Sequence, residues 1–215
     1  MNRRECLSVV AAASGLLAMG GASAQGQFQE GKDFTRLSKA AEVKGLAEGK
    51  KVEVVEFFWY GCPHCNSFEP ALDAWAKRLD GDVSFRRVPV AFGGVHQLHQ
   101  KLYYALEKMP NFDMLHKRVF AAMHVDKRRL DTVASIAEWA KESGLQEDAL
   151  MGEFRSMRVD SASRMAKLTA ASYGVDSVPS TGVHGKFLTS PGMAGTYDRA
   201  FGVVQSLIQQ VRAIG

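Results

Sequence analysis

Cysteine is scarce in this chain. Among 215 residues there are three cysteines, at positions 6, 62 and 65. A scaffold held together by disulfides would need several pairs, and this chain offers one close pair. A bridge between Cys62 and Cys65 would also constrain the unfolded chain very little, because the loop that it closes is so short. The sequence therefore favours a reactive role for this pair over a structural one.

Ligand sets for metals and haem are missing as well. Haem attachment would need a histidine directly after Cys65, where the chain has Asn66. A zinc site needs about four ligands, and there is no second cysteine pair. His96 and His99 lie near each other in the sequence, but nothing connects them to the cysteines, and we interpret them as ordinary histidines on a helix surface. We expect no metal and no cofactor besides the redox-active pair itself.

A strong charge bias is absent too. The formal net charge at pH 7 is +4, and the basic residues form no long run. Without such a run, and without an aromatic RNA-binding motif, nucleic acid is not expected as a partner. A chain of this length can bury a core of its own, and its content of 46% hydrophobic and 23% charged residues is typical of a globular protein.

The first residues have the pattern of an export signal. Arg3 and Arg4 precede an apolar stretch over residues 7–20, and small residues follow at 22–24. We expect a signal peptide over residues 1–24, with cleavage after its last alanine. The Sec route is favoured, and the adjacent arginines leave a twin-arginine route open. An uncleaved anchor is the alternative, although the apolar stretch is shorter than the ~20 residues that a spanning helix needs.

A β-α-β pattern surrounds the cysteine pair. β-branched and aromatic residues fill positions 52–58, which is typical of a strand buried on both faces. A helix is expected from Cys62 to about Gly81, because apolar residues recur at helical spacing, and a second strand is expected over residues 83–90. We assign residues 25–93 to the first part of one domain.

The pattern then changes twice. Residues 94–173 show helical spacing without a strand signal, which predicts an all-helical insertion, with Asp131 as the N-cap of one helix. Residues 174–215 complete the domain, with a hairpin over 179–189 and a final helix from about 197 to 212. This order indicates an α/β protein. It is the order of a thioredoxin fold with an inserted all-helical domain.

The start of the first helix gives the two thiols different tasks. We expect Cys62 at the N-cap, where first-turn N–H groups and the helix dipole favour a thiolate. Pro63 suits the first helical position, because its missing N–H costs nothing there. Cys65 falls on the first turn and is less accessible. We predict that Cys62 is the nucleophile and Cys65 the resolving thiol, and that His64 adds positive charge beside them when protonated.

These motifs resemble those of a known family. Residues 57–65, FFWYGCPHC, resemble the active-site segment of the DsbA family of periplasmic thiol:disulfide oxidoreductases. Residues 30–34 resemble its mature N-terminus, residues 174–181 its cis-proline loop, and residues 182–187 the hairpin that follows. The resemblance covers essentially the whole chain after the signal peptide, and it implies a periplasmic location.

The resemblance also implies a peptide-binding loop beside the cysteines. It predicts a cis bond before Pro179, packed against Cys62, with the backbone of Val178 free to pair with an extended client peptide. From the residues alone, Pro179 would be interpreted as an ordinary turn proline.

Three charged residues match family positions near the active site. Glu56 matches a buried acid, and Arg87 matches its basic partner on the next strand, where the family commonly has Lys. Glu69 matches an acid near the redox helix. An isolated buried charge is very costly, so the residues alone leave open that Glu56 lies at a strand edge with its carboxylate in water and that Glu69 is a solvated surface residue.

The implied activity is oxidation of protein thiols. The Cys62–Cys65 disulfide would be donated, through a mixed disulfide on Cys62, to unfolded secreted proteins with free thiols. A quinone-linked membrane oxidase of the DsbB type would reoxidise the pair, and the protein would act as a monomer. Two alternatives stay open, namely a thioredoxin-like periplasmic reductase or isomerase, and a non-catalytic peptide-binding protein with a structural disulfide.

Overall fold

The computed structural model of the protein describes residues 28–43 and 46–214. The expected signal peptide over residues 1–24 lies outside this part. The described residues form five strands and eight helices. The elements are β1 (Thr35–Arg36), β2 (Val52–Phe58), α1 (Pro63–Ala76), β3 (Val83–Pro89), α2 (Gly94–Leu106), α3 (Phe112–His124), α4 (Val133–Glu142), α5 (Glu147–Phe154), α6 (Met157–Ser172), β4 (Ser180–Val183), β5 (Phe187–Thr189), α7 (Pro191–Ala194) and α8 (Tyr197–Ile214).

The strands form one mixed sheet with the order β1-β5-β4-β2-β3. β2 pairs in parallel with β3 and antiparallel with β4, so it is central. All seven residues of β2 are buried, which accounts for its unbroken apolar character apart from two glutamates. The parallel register sets Glu56 opposite Arg87, and this pairing brings two charged residues together inside the sheet.

Two apolar cores lie against this sheet. The larger joins alternate residues of β2, such as Val55 and Phe57, to α2 through α6. The smaller joins Val52 and Val54 to the inner face of α8. Since side chains alternate between the two faces of a strand, β2 supplies both cores and fixes the start of α1 between them.

The helices between β3 and β4 run from Gly94 to Ser172, and no strand interrupts that span. No helix in residues 28–43 or 46–214 has the length and apolar character needed to cross a membrane.

Two expected helix boundaries are wrong. The first helix ends at Ala76, not near Gly81, because the chain turns there and Leu79 packs against the smaller core from the connecting loop. The N-cap of α4 is Thr132, not Asp131. Thr132 Oγ1 accepts a hydrogen bond of 3.0 Å from the N–H of Ser135, whose hydroxyl accepts one from the N–H of Thr132. The carboxylate of Asp131 pairs instead with Arg129.

Candidate active site

The two cysteines lie at the junction of β2 and α1, with both thiols free. Cys62 is the N-cap residue of α1, as the sequence predicts, and Pro63 is the first helical residue. The N–H of Cys65 donates a hydrogen bond of 3.4 Å to Cys62 Sγ. Cys62 is 8% exposed and Cys65 is fully buried, so the difference in access is smaller than the sequence suggests. His64, between them, is exposed.

The helix start separates the proton affinities of the two thiols. The pKa of Cys62 falls from 9.0 to about 6, chiefly because its sulfur is hydrogen-bonded by the Cys65 side chain, then by the first-turn N–H groups, with the charge of His64 as the smallest cause. Burial raises the pKa of Cys65 far above its ordinary value, and the hydrogen bond with Cys62 raises it further. At neutral pH the outer thiol is therefore ionised and the inner thiol protonated.

A second segment meets Cys62 from across the fold. The Val178–Pro179 peptide bond is cis, and Cys62 Sγ lies 3.5 Å from the carbonyl oxygen of Val178, to which it can donate a hydrogen bond only while the thiol is protonated. Beside them lies a cavity of about 360 Å³, lined by His64, Pro179 and Tyr197 among others. The loop that precedes β4 therefore lies directly against the thiol.

The residue directly before Cys62 is Gly61, and the side chain of Trp59 leaves no room for a larger residue there. A Cβ atom at this position would overlap the indole ring of Trp59. The indole N–H of Trp59 donates a hydrogen bond of 2.9 Å to His99 Nδ1, and His99 Nε2 lies 3.0 Å from the carbonyl of Leu130. His99 is 1% exposed, so the expectation of a surface histidine is wrong.

The three charged residues suggested by the resemblance come together beneath α1. Arg87 Nε lies 3.1 Å from Glu56 Oε2, and an Arg87 terminal nitrogen donates a 2.7 Å hydrogen bond to Glu69 Oε1. Glu56 is 1% and Glu69 4% exposed. Neither is therefore a solvated residue, and one guanidinium serves two buried carboxylates.

Arg87 interacts differently with the carboxylates of Glu56 and Glu69. The contact between Arg87 and Glu56 lacks hydrogen-bond geometry, and both oxygens of Glu56 are buried without a hydrogen-bond partner. The pKa of Glu56 rises to about 8, first because of burial and then because of the charge of Glu69, although Arg87 opposes both. Burial therefore favours the protonated form of Glu56, whereas Arg87 donates its hydrogen bond to Glu69.

Sequence reasoning missed a histidine that joins this cluster. His116, on α3, is 2% exposed. Its Nδ1 lies 2.8 Å from the hydroxyl of Tyr60, and its Nε2 lies 3.5 Å from Glu69 Oε1. His124, also on α3, contacts the carbonyl of Tyr60 at 2.7 Å. One signal was available, because a tyrosine next to a buried strand needs a partner for its hydroxyl.

Comparison with known proteins identifies the class to which this fold and this cysteine pair belong. A family model described as a DSBA-like thioredoxin domain matches residues 53–198. The chain belongs to this family.

Individual relatives agree. The thiol:disulfide interchange protein DsbA of Azotobacter vinelandii is 36% identical over 98% of this chain and 99% of its own length. DsbA of Bordetella pertussis is 38% identical over 75% of this chain and 78% of its own. The crystal structure of Pseudomonas aeruginosa DsbA superimposes with a TM-score of 0.83 at 33% identity, covering 88% of this chain and 97% of that one.

These matches confirm three predictions from the sequence. The resemblance to the DsbA family is correct, and so is the α/β thioredoxin fold with helices inserted between its halves. The protein is an enzyme of the thiol:disulfide oxidoreductase class, and its activity is disulfide interchange with protein thiols.

Proposed function

We propose that Cys62 and Cys65 carry the interchange reaction in the oxidising direction. A client thiolate attacks Cys62 of the Cys62–Cys65 disulfide, which forms a mixed disulfide and releases Cys65, which takes up a proton. A second client thiolate then attacks the client sulfur and releases Cys62 as a thiolate. Two electrons pass from the client thiols to the pair, and the client gains a disulfide.

The observation that carries this direction is the position of Cys62 at the N-cap of α1, where its sulfur accepts a 3.4 Å hydrogen bond from the N–H of Cys65. This setting lowers the pKa of Cys62 to about 6 from an ordinary 9.0. A lowered pKa stabilises the reduced, folded protein fully at pH above the ordinary value, and this contribution is lost as the pH falls through about 6. At pH 7 most of it is present. Because the reduced state is stabilised, the disulfide is a strong oxidant.

Equilibration with a glutathione buffer tests the direction. We expect the pair to stay reduced in buffers oxidising enough to leave a thioredoxin-like pair as a disulfide. Thioredoxin-like behaviour would instead favour the reductase or isomerase alternative.

Single substitutions test the division of labour. We expect Cys65→Ser, mixed with an oxidised client, to accumulate a mixed disulfide on Cys62, and Cys62→Ser to form none. If Cys62→Ser binds clients normally and no oxidation is lost, the protein is a peptide-binding protein whose disulfide is structural.

We further propose that clients lie against the loop at Val178 and Pro179. The carbonyl oxygen of Val178 lies 3.5 Å from Cys62 Sγ, so an extended client chain passing along this backbone would bring its own sulfur to Cys62. The neighbouring cavity, with Tyr197 on one wall, offers an apolar surface for the residues that flank the client cysteine.

The setting follows from the same proposal. Residues 1–24 would direct export to the periplasm, where unfolded secreted proteins supply free thiols and a DsbB-type membrane oxidase restores the disulfide. An unchanged client-oxidation yield in cells that lack the membrane oxidase would argue against that partner. The mature protein would act as a monomer without a further cofactor.

The domain organisation is part of the proposal. Residues 94–173 would form a helical insertion domain between the two parts of the thioredoxin-fold domain, 25–93 and 174–215.

A further inference from the structure

A second cavity adjoins the active site, apart from the one beside Pro179. It has a volume of about 280 Å³, and its lining includes Gly61, the residue directly before Cys62. The cavity beside Pro179 is lined by His64, which follows Cys62 by two residues. Among the described residues the two cavities share no lining residue, so the reactive cysteine stands between two separate cavities along the chain.

Part of the wall of this second cavity is apolar. Trp59, Val95 and Met123 line it; Val95 is 40% exposed, and the other two are half-buried. An indole and a thioether both make favourable contacts with aromatic rings. The volume of about 280 Å³ is smaller than the ~300–1,000 Å³ of typical small-molecule sites. The cavity therefore suits a single large side chain.

Two histidines of α2 fix the indole of Trp59 in this wall. The indole N–H, which can only donate, gives a hydrogen bond of 2.9 Å to His99 Nδ1. The proton of the buried ring is then on Nε2, which lies 3.0 Å from the carbonyl oxygen of Leu130. The ring of His96 lies against the indole with 3.9 Å between centroids. A wall that is already fixed loses little conformational freedom when a ligand binds.

The remaining rim of the cavity carries three consecutive cations. Arg128 pairs with Glu142 and Arg129 with Asp131, so their charges are compensated. The ammonium of Lys127 instead donates a 2.7 Å hydrogen bond to a main-chain carbonyl, and it has no carboxylate partner among the described residues. An acidic residue of a ligand would therefore meet one uncompensated positive charge beside the apolar wall.

We propose that this cavity is a second client pocket, which receives an aromatic side chain of the client with an acidic residue beside it. The aromatic residue belongs to the flank of the client cysteine that does not run along the loop at Pro179. Because Gly61 is the neighbour of Cys62, a client residue within about three positions of its own cysteine, or ~10 Å of extended chain, would reach the pocket. The proposal rests on the proposed function of Cys62.

An exchange equilibrium without net oxidation measures client binding. The full mature protein with Cys65→Ser is first converted to a glutathione mixed disulfide on Cys62. The thiolate of a peptide with one cysteine attacks the Cys62 sulfur, forms a new mixed disulfide and releases glutathione as a thiolate. Mass spectrometry of the intact protein gives the exchange constant. One peptide has Ala at all three positions on both sides of its cysteine, and six others replace one of these alanines by Phe.

We expect Phe on one side of the cysteine to raise the exchange constant by about fivefold to tenfold over the Ala peptide. Val95→Asp places a charge on the apolar wall and should abolish this gain. The new carboxylate would lie in the first turn of α2, where it suits the helix dipole, so the variant should fold. Leu168→Asp is the matched control, because Leu168 is an exposed residue of α6 outside both cavities, and it should keep the gain.

A second set of peptides tests the rim. Asp next to the favourable Phe should raise the exchange constant by about a further threefold at low salt, and high salt should remove this increase. Lys127→Asn should remove it as well. Asn suits this position because the backbone there is left-handed, with φ of 58°. An increase that persists in Lys127→Asn would overturn the assignment of the acidic residue to this rim.

Three results would overturn the client pocket itself. They are exchange constants that do not depend on Phe at either side, a gain that survives Val95→Asp, and an equal loss of the gain in Leu168→Asp. Failure of the proposed function would give a different result, because then no peptide, the Ala peptide included, would form a mixed disulfide on Cys62. Exchange without any preference for Phe would overturn the pocket and leave the proposed function intact.

Discussion

The start of α1 and the buried charge cluster beneath it change proton affinity in opposite directions. At the helix start, hydrogen bonds to sulfur outweigh burial, and the pKa of Cys62 falls to about 6. In the cluster, burial and a like charge outweigh the cation, and the pKa of Glu56 rises to about 8. The two shifts therefore have opposite directions, downward from an ordinary value of 9.0 for Cys62 and upward from 4.5 for Glu56.

The two groups differ in which residues stabilise their negative charge. Cys62 is stabilised as an anion chiefly by the side chain of Cys65 and then by first-turn N–H groups, all of which belong to its own helix start. Glu56 depends on Arg87, which it shares with Glu69 and which comes from another strand. The helix start should therefore tolerate single changes elsewhere in the fold, whereas the cluster should respond strongly to the loss of one member.

The largest expected effect is the loss of Arg87. Arg87→Met leaves two buried carboxylates without their cation and should lower the free energy of unfolding by about 3–5 kcal/mol at pH 8. Chemical denaturation measures this. The control is Arg36→Met, which removes a pair whose side chains are about half exposed and should cost less than about 1 kcal/mol. Equal losses for the two variants would contradict the view that the cluster depends on its cation.

The next effect is a pH dependence that Glu56 imposes on stability. The unfolded chain releases this proton near 4.5 and the folded protein holds it to about 8. Because the unfolded state binds fewer protons in that window, the stability of the disulfide form, in which Cys62 does not titrate, should fall as the pH rises from 4.5 to 8, by an amount on the order of a few kcal/mol.

Glu56→Gln should remove this slope. Denaturation midpoints at pH 5 and pH 8 provide the measurement, and the variant should gain relative to the unchanged protein at the higher pH. A slope that survives the substitution would assign it to other groups.

The contrast between the two regions also explains what the sequence predicts well. The N-cap position of Cys62 depends on a strand, a proline and a helix that are neighbours in the chain, so local patterns suffice. The contact of Glu56 with Arg87 is predicted by the family resemblance and not by local pattern, and the parallel register of β2 and β3 accounts for it.

His116 and His99 escaped prediction for a physical reason. Their partners, Tyr60 and Trp59, are tens of residues away, and they meet only because α2 and α3 pack against the end of β2. Helical spacing indicates which face of a helix is buried. It does not indicate which polar side chain of another segment will lie against that face. The wrong N-cap of α4 has a more local cause, because Asp131 and Thr132 are both good N-cap residues and only the pairing with Ser135 selects the second.

A smaller change tests how the cation is shared. Arg87→Lys keeps the charge but has one nitrogen in place of a fork that reaches both carboxylates. We expect a loss of about 1.5–3 kcal/mol in the free energy of unfolding, the scale of one hydrogen bond to a charged group. The same variant should raise the midpoint of Glu56, because the ammonium stays with Glu69. An unchanged stability and midpoint would mean that one point charge is enough for both acids.

The smallest expected effects lie at the start of α1. They show which neighbouring groups contribute most to the low pKa of Cys62. Cys65→Ala removes the side-chain hydrogen bond that contributes most to the low pKa of Cys62, whereas His64→Ala removes the charge that contributes least. The first should raise the thiolate midpoint from about 6 by about one unit, or ~1.4 kcal/mol, and the second by clearly less. Ultraviolet absorbance of the thiolate measures both, because Cys65 stays protonated throughout this range. If His64→Ala had the larger effect, the charge between the cysteines would govern the site, and the helix start alone would not account for the reactivity of Cys62.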